Sequence, residues 1–180
     1  MKSFINFLTI LRIFLAPFIF LLIVFSNNYF LALLLFFIAG LTDYYDGVLA
    51  RKYQLTSIIG EILDPSADKI LIVFCLIGLS INLHSTLVAF LGSIIISREV
   101  WVAALRDFNS KKGNTSATKV TFLAKIKTTI QMITIIFYII SLHLNIMLML
   151  PIADSLLILS TIITLYTGFQ YTYYTFNQRN

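Results

Sequence analysis

Asp43, Asp46, Asp64 and Asp68 crowd four carboxylates into one part of a chain that is otherwise mostly apolar. A charge placed alone in hydrocarbon loses its hydration at considerable cost, so the spacing of these four matters. Asp43 and Asp46 are three apart, Gly47 is four from Asp43, and Ala50 continues the same helical face. Gly60, Asp64 and Asp68 recur at every fourth position and form a second stripe. Four converging carboxylates repel one another unless cations lie between them. An all-oxygen donor set suits hard divalent ions such as Mg²⁺ or Mn²⁺. Two ions bridged by shared aspartates can clamp the attacking and leaving oxygens of a phosphoryl reaction. Gly47, Ala50 and Gly60 leave room for a bulky polar substrate, and Arg51 is placed to meet a phosphate at the rim. The competing reading, structural ion pairing with Arg51, Lys69 or Arg98, serves one aspartate better than four on two facing stripes.

The elements that must position these groups are apolar. The chain has 180 residues, 59% hydrophobic and 12% charged, with a mean hydropathy of +0.92. A soluble domain carries about twice that share of charge. Apolar runs fall at 8–26, 29–50, 57–82, 85–106, 119–142 and 151–172. Each is long enough for a hydrocarbon core of roughly 30 Å, which needs about 20 helical residues. Runs of this length without alternation select helices over a barrel. The expected fold is an all-α integral membrane protein of six transmembrane helices, one membrane domain over residues 1–180. Arg12 and Pro17 interrupt the first run and no small-residue cleavage site follows it, so residues 1–25 read as a retained span. Pro151 suits the first turn of the last helix. Cys75 lies within an apolar run and reads as a small core residue.

Orientation follows from the cations. Lys2, Arg51, Lys52, Arg106, Lys111, Lys112, Lys119 and Arg179 occupy the N-terminal end, the second and fourth loops and the C-terminal end. The first, third and fifth loops have no lysine or arginine, which places both termini in the cytoplasm by the positive-inside rule. The net charge of +5 is divided among short segments. It reads as topology and lipid-headgroup attraction, not nucleic-acid binding. The short turn at 51–56 makes the second and third helices antiparallel neighbours. At about 1.5 Å per residue, Asp43 and Asp68 lie roughly 12–20 Å from that turn, in a pocket opening to the cytoplasm.

The stretch reads Asp43-x2-Asp46-Gly47-x2-Ala50-Arg51-x8-Gly60-x3-Asp64-x3-Asp68. It resembles the complete signature of the CDP-alcohol phosphatidyltransferases. Eight fixed residues at roughly 5% usage each coincide by chance on the order of once in 10¹⁰ start positions. The resemblance implies two bound divalent cations held by Asp43, Asp46, Asp64 and Asp68, with Asp68 also the general base. It implies a CDP-diacylglycerol site lined by Gly47, Ala50, Arg51, Ser57 and Gly60. Asn6 to Arg12, "NFLTILR", is similar to the family's Asn-x-x-Thr-x-x-Arg, which implies that Asn6 and Thr9 help to hold the nucleotide-lipid. Ile5 stands where the family usually has proline. Arg12 has a plainer expected role, snorkelling to the headgroups.

"SREVWVAALR" (97–106), "AKIKTTIQM" (124–132) and "LDPSADKI" (63–70) look like segments of the bacterial branch that makes phosphatidylglycerophosphate, although Ala124 replaces a usual glycine. The resemblance implies sn-glycerol 3-phosphate as acceptor, a homodimer, and a bacterial inner membrane with the site facing the cytoplasm. Arg98, Lys125 and Lys127 are intramembrane cations, for which the acceptor phosphate is the expected partner. Lys125 and Lys127 are about 200° apart on a helix, so only one faces the phosphate squarely. Glu99 is expected to pair with Lys69, and Arg106 to act as a topology charge. Other acceptors (phosphatidylglycerol, an inositol phosphate, serine) are the alternatives within the family. A cation channel is the alternative outside it, but the outer halves of the helices offer no continuous polar route.

Overall fold

The computed structural model describes residues 2–53, 58–112 and 122–177, and the side chains within them except 2–6, 44, 46–53, 58–62, 64–65, 122 and 124–125. Six helices follow in order: α1 (Lys2–Val24), α2 (Tyr29–Tyr53), α3 (Ile58–Asn82), α4 (Thr86–Lys111), α5 (Phe122–Leu144) and α6 (Leu150–Asn177). A 3₁₀ turn at Met147–Met149 leads into α6, and Pro151 falls in its first turn as expected. Helices α4 and α6 outrun their apolar stretches and carry polar residues on to Lys111 and Asn177.

Among the described residues, four helical segments are long and apolar enough to cross a bilayer: Phe7–Val24, Thr86–Lys111, Ile126–Leu144 and Met147–Asn177. Helices α2 and α3 are each 25 residues long, and their polar halves lie mostly outside the described side chains. Within the described part of α2 the apolar stretch is Tyr29–Asp43. Around the outside, Phe14, Phe37, Phe90, Trp101, Ile162 and Phe169 are at least half exposed. In water that surface would be an aggregation hazard, and in lipid it is solvated.

Helix α1 packs against both α2 and α3, most extensively on α3. The turn and helix ends at which α2 and α3 were expected to meet lie mostly outside the described residues. Small residues permit this close approach. Ala16 and Ala39 are fully buried, and a Cβ added to Gly78 would stand 3.1 Å from the Phe20 ring. The core joins Ile19 and Ile23 of α1 to Leu71, Cys75 and Leu79 of α3 and Ile135 and Ile139 of α5. Helix α6 closes the other side against α4 and α5.

The three connections α1–α2, α3–α4 and α5–α6 are tight. Each contains a left-handed residue: Asn27 (φ 50°), His84 (φ 48°) and Asn145 (φ 53°). Such residues end helices by turning the chain back on itself, and asparagine tolerates that conformation better than most. Asn82 ties this end together, donating to the Ile23 carbonyl (2.9 Å) and to Asn27 Oδ1 (3.0 Å). The next helices start on side-chain caps, with Leu31 N–H donating to Asn28 Oδ1 and Val88 N–H to Ser85 Oγ. At the opposite end of the bundle the polar side chains gather.

Candidate active site

Asp43 comes from α2 and Asp68 from α3, and they meet at a residue expected elsewhere. Arg12 of α1 is fully buried, and its Nη1 donates to Asp43 Oδ1 (2.7 Å) and to Asp68 Oδ1. It does not snorkel to headgroups. Because α1 stands against both other helices, its guanidinium falls between their carboxylates, and two negative groups gain by sharing it. The aspartate side chains keep 39% and 27% of their surface. Thr9, three residues before Arg12 and so on the same face, is also fully buried.

The two carboxylates open on a cavity of about 390 Å³ between α3, α4 and α5. Lys69, Arg98, Arg106 and Lys127 line its other walls together with Glu99. Glu99 organises the cations. Its Oε1 accepts from Arg98 Nη1 (2.9 Å) and from Lys127 Nζ, and its Oε2 lies 3.8 Å from Lys69 Nζ. The expected Lys69 pairing is therefore present as the longest of three contacts. Three positive charges against one negative leave this group with a surplus of two. Arg106, expected to be a topology charge alone, lines the same cavity. It donates from Nη2 to the Tyr171 hydroxyl (2.9 Å) and lies over that ring.

Helix periodicity explains how α4 delivers its arginine. Gly92, Ile95, Arg98, Val102 and Leu105 form its buried stripe, so Arg98 points inward like the apolar residues around it. Helix α6 answers with hydroxyls. Thr167 Oγ1 lies 2.6 Å from Arg98 Nη2, Thr164 takes a bond from Gln131, and Thr175 takes one from Asn109. Buried polar groups in lipid need such partners. The sequence signal for this stripe is the three-and-four spacing of Ser160, Thr161, Thr164, Thr167, Tyr171 and Thr175, which the apolar reading of the last run passed over.

The other expected site residues take their places on the backbone. Asn6 lies on α1, Asp46, Gly47, Ala50 and Arg51 on α2, Gly60 and Asp64 on α3, and Lys125 on α5. Their side chains, and Ser57 altogether, lie outside the described residues. Of the paired lysines, Lys127 reaches the cavity. No cluster of three metal-ligating side chains occurs among the described residues. The donor chemistry nonetheless suits a hard cation. Asp43 and Asp68 offer carboxylate oxygens from two helices to one point, part exposed to the cavity, and a cation, the Arg12 guanidinium, bridges them.

The arrangement can hold anions at one end and cations at the other, with a carboxylate beside the boundary. That is what an in-line exchange between two phosphates requires. Comparison with known proteins points the same way. Residues 4–166 match the model of the family described as CDP-alcohol phosphatidyltransferase. The chain is 40% identical over 131 residues to the CDP-diacylglycerol–glycerol-3-phosphate 3-phosphatidyltransferase of Haemophilus influenzae, covering 72% of this chain and 71% of that one. Enzymes of the same name from Wigglesworthia glossinidia brevipalpis and Escherichia coli K12 are 38% and 35% identical over 130 residues, with 71% of each chain covered.

Proposed function

Because the chain belongs to the CDP-alcohol phosphatidyltransferase family, we propose that it transfers the phosphatidyl group of CDP-diacylglycerol to sn-glycerol 3-phosphate. The products are phosphatidylglycerophosphate and CMP. The observation that carries this reading is the cavity in which Asp43 and Asp68 face Lys69, Arg98, Arg106 and Lys127. A doubly charged phosphate monoester matches the surplus of two positive charges around Glu99. Neutral acceptors such as serine leave that surplus without a counter-charge, so the cluster favours a phosphorylated acceptor.

Asp43, Asp46, Asp64 and Asp68 would hold two divalent cations, Mg²⁺ or Mn²⁺. When bound, these supply the positive charge that the pyrophosphate and the departing CMP need. The chain itself does the rest. Asp68 accepts the proton of the acceptor's C1 hydroxyl. The freed oxygen bonds to the phosphorus that carries diacylglycerol, and the bond from that phosphorus to the bridging oxygen of CMP breaks. Arg12 fixes the direction of the Asp68 carboxylate through its shared contact with Asp43. Asn6, Thr9, Gly47, Ala50, Arg51, Ser57 and Gly60 hold CDP-diacylglycerol. Arg98, Arg106 and Lys127 hold the acceptor phosphate, and Lys125 serves at its edge.

All six helices span the bilayer as one domain, with both termini and the cavity on the cytoplasmic side of a bacterial inner membrane, and the protein works as a homodimer. The alternation of lysine and arginine between loops supports the orientation. The test is incubation of purified protein with labelled CDP-diacylglycerol, Mg²⁺ and a panel of acceptors. Release of CMP dependent on glycerol 3-phosphate is expected. Release with serine or inositol phosphate in its place would reassign the acceptor, and ion flux without CMP release would remove the enzyme.

A further inference from the structure

Of the three described carboxylates that line the reaction cavity, Glu99 is the one the transfer step leaves without a part. Its two oxygens are spent unequally. Oε1 accepts from both Arg98 Nη1 (2.9 Å) and Lys127 Nζ. Among the described residues, Oε2 has only the ionic contact with Lys69 Nζ, at 3.8 Å, which is beyond hydrogen-bond distance. A carboxylate that served only as a counter-ion would gain by dividing three cations between its oxygens, since each oxygen can accept about two bonds. Here two donors crowd one oxygen and the other keeps its lone pairs. The side chain retains 18% of its surface and lines the cavity, so a bound molecule can reach it.

The two oxygens also look in different directions along the cavity. Oε1 faces Arg98 and Lys127, which are assigned to the acceptor phosphate. Oε2 faces Lys69, the residue that directly follows the base Asp68 on α3. Glycerol 3-phosphate must run the same way, with its C1 hydroxyl at Asp68 and its phosphate at the cations. Between those ends its carbon chain carries one further polar group, the C2 hydroxyl. Lys69, Arg98, Arg106 and Lys127 can only donate to it. Asp43 and Asp68 are committed to Arg12 and to the reacting hydroxyl. That leaves Glu99 to accept.

We propose that Glu99 determines acceptor specificity by taking a hydrogen bond from the C2 hydroxyl on Oε2, so that the cavity selects a phosphate monoester carrying a vicinal diol. The inference rests on the acceptor proposed above. An acceptor without that hydroxyl leaves a carboxylate oxygen facing carbon, and a site built to take a hydrogen bond rejects such an analogue strongly.

The test measures KM with CDP-diacylglycerol and Mg²⁺ for three acceptors: sn-glycerol 3-phosphate, its 2-deoxy analogue (3-hydroxypropyl phosphate) and its 2-deoxy-2-fluoro analogue. Fluorine is close to a hydroxyl in size but donates nothing, and it turns partial negative charge toward Oε2. The 2-deoxy KM is expected to be about tenfold or more above that of glycerol 3-phosphate, with the fluoro KM at least as high. Equal KM values for hydroxyl and deoxy acceptors overturn the proposal. So does a fluoro KM below the deoxy one, because that order means a cation reads the C2 position. Glu99→Gln should shrink the preference for hydroxyl over deoxy severalfold, whereas mere damage to the cavity weakens both acceptors alike; an unchanged preference in that variant also overturns the proposal. The wild-type series decides the matter even if the variant does not fold. Turnover with none of the three removes the proposed acceptor and this inference with it, while a different order among working acceptors removes the inference alone.

Discussion

Replacing Arg12 by methionine tests the meeting of α1, α2 and α3 at the carboxylates. Methionine keeps the apolar length of the side chain and removes the guanidinium that touches both Asp43 and Asp68. Leaving a buried partner uncompensated costs about 3–5 kcal/mol. Here the abandoned carboxylates keep 39% and 27% of their surface, so solvent recovers part of it, and about 2–3 kcal/mol is expected. At about 2–4 °C per kcal/mol for a chain of this size, Tm should fall by roughly 5–10 °C. The measurement is thermal unfolding in detergent with EDTA, followed by Trp101 fluorescence. Titrating Mg²⁺ adds the discriminating step. Arg12 and a divalent cation compete for the same oxygens, so Mg²⁺ should recover more stability in Arg12→Met than in the wild-type protein. An unchanged midpoint in EDTA together with an identical Mg²⁺ response would refute the claim that Arg12 bridges the two aspartates.

Other outcomes follow from the same geometry. Asp68→Asn should lower turnover by about 10²–10⁴, while CDP-diacylglycerol still binds in a filter assay; wild-type turnover would remove the base. Arg106→Ala and Lys127→Ala should each raise the acceptor KM by about tenfold or more, the worth of a hydrogen bond to a charged group, with the KM for CDP-diacylglycerol little changed. EDTA should abolish CMP release and added Mg²⁺ or Mn²⁺ restore it; activity persisting in chelator would contradict the carboxylate reading. Gly168→Val should displace the Arg98 stem and weaken acceptor binding, and an unaltered acceptor KM would show that Arg98 does not depend on that bare helix face.

Helix number and the convergence of Asp43 with Asp68 were legible because both rest on periodicity, which a sequence carries openly. The place of α1 was not. A short turn predicts adjacency for α2 and α3 but says nothing of the first helix, which small residues on α1, α2 and α3 bring against both of the others. Arg12 was expected at the headgroups for that reason: its bridge between Asp43 and Asp68 depends on where α1 stands, which its place in the Asn-x-x-Thr-x-x-Arg segment does not give. Arg106 was read as a loop charge because it ends an apolar run, yet α4 continues for more than a turn beyond it and turns the side chain inward. The threonine stripe of α6 was hidden in a run whose average hydropathy is high. Helical angle left open which of Lys125 and Lys127 faces the cavity; Lys127 lines it and is buried against Glu99, and the side chain of Lys125 lies outside the described residues.

The three tight turns built on Asn27, His84 and Asn145 carry a mechanical consequence. They pin the helices in pairs at the end away from the reacting groups, and the Asn82 clasp fastens one pair to the next. Any widening of the site to admit a bulky substrate would then have to act like tweezers, hinged at the end of the bundle opposite the reacting groups. Stiffening that distant end would slow substrate entry without altering any group that touches phosphorus.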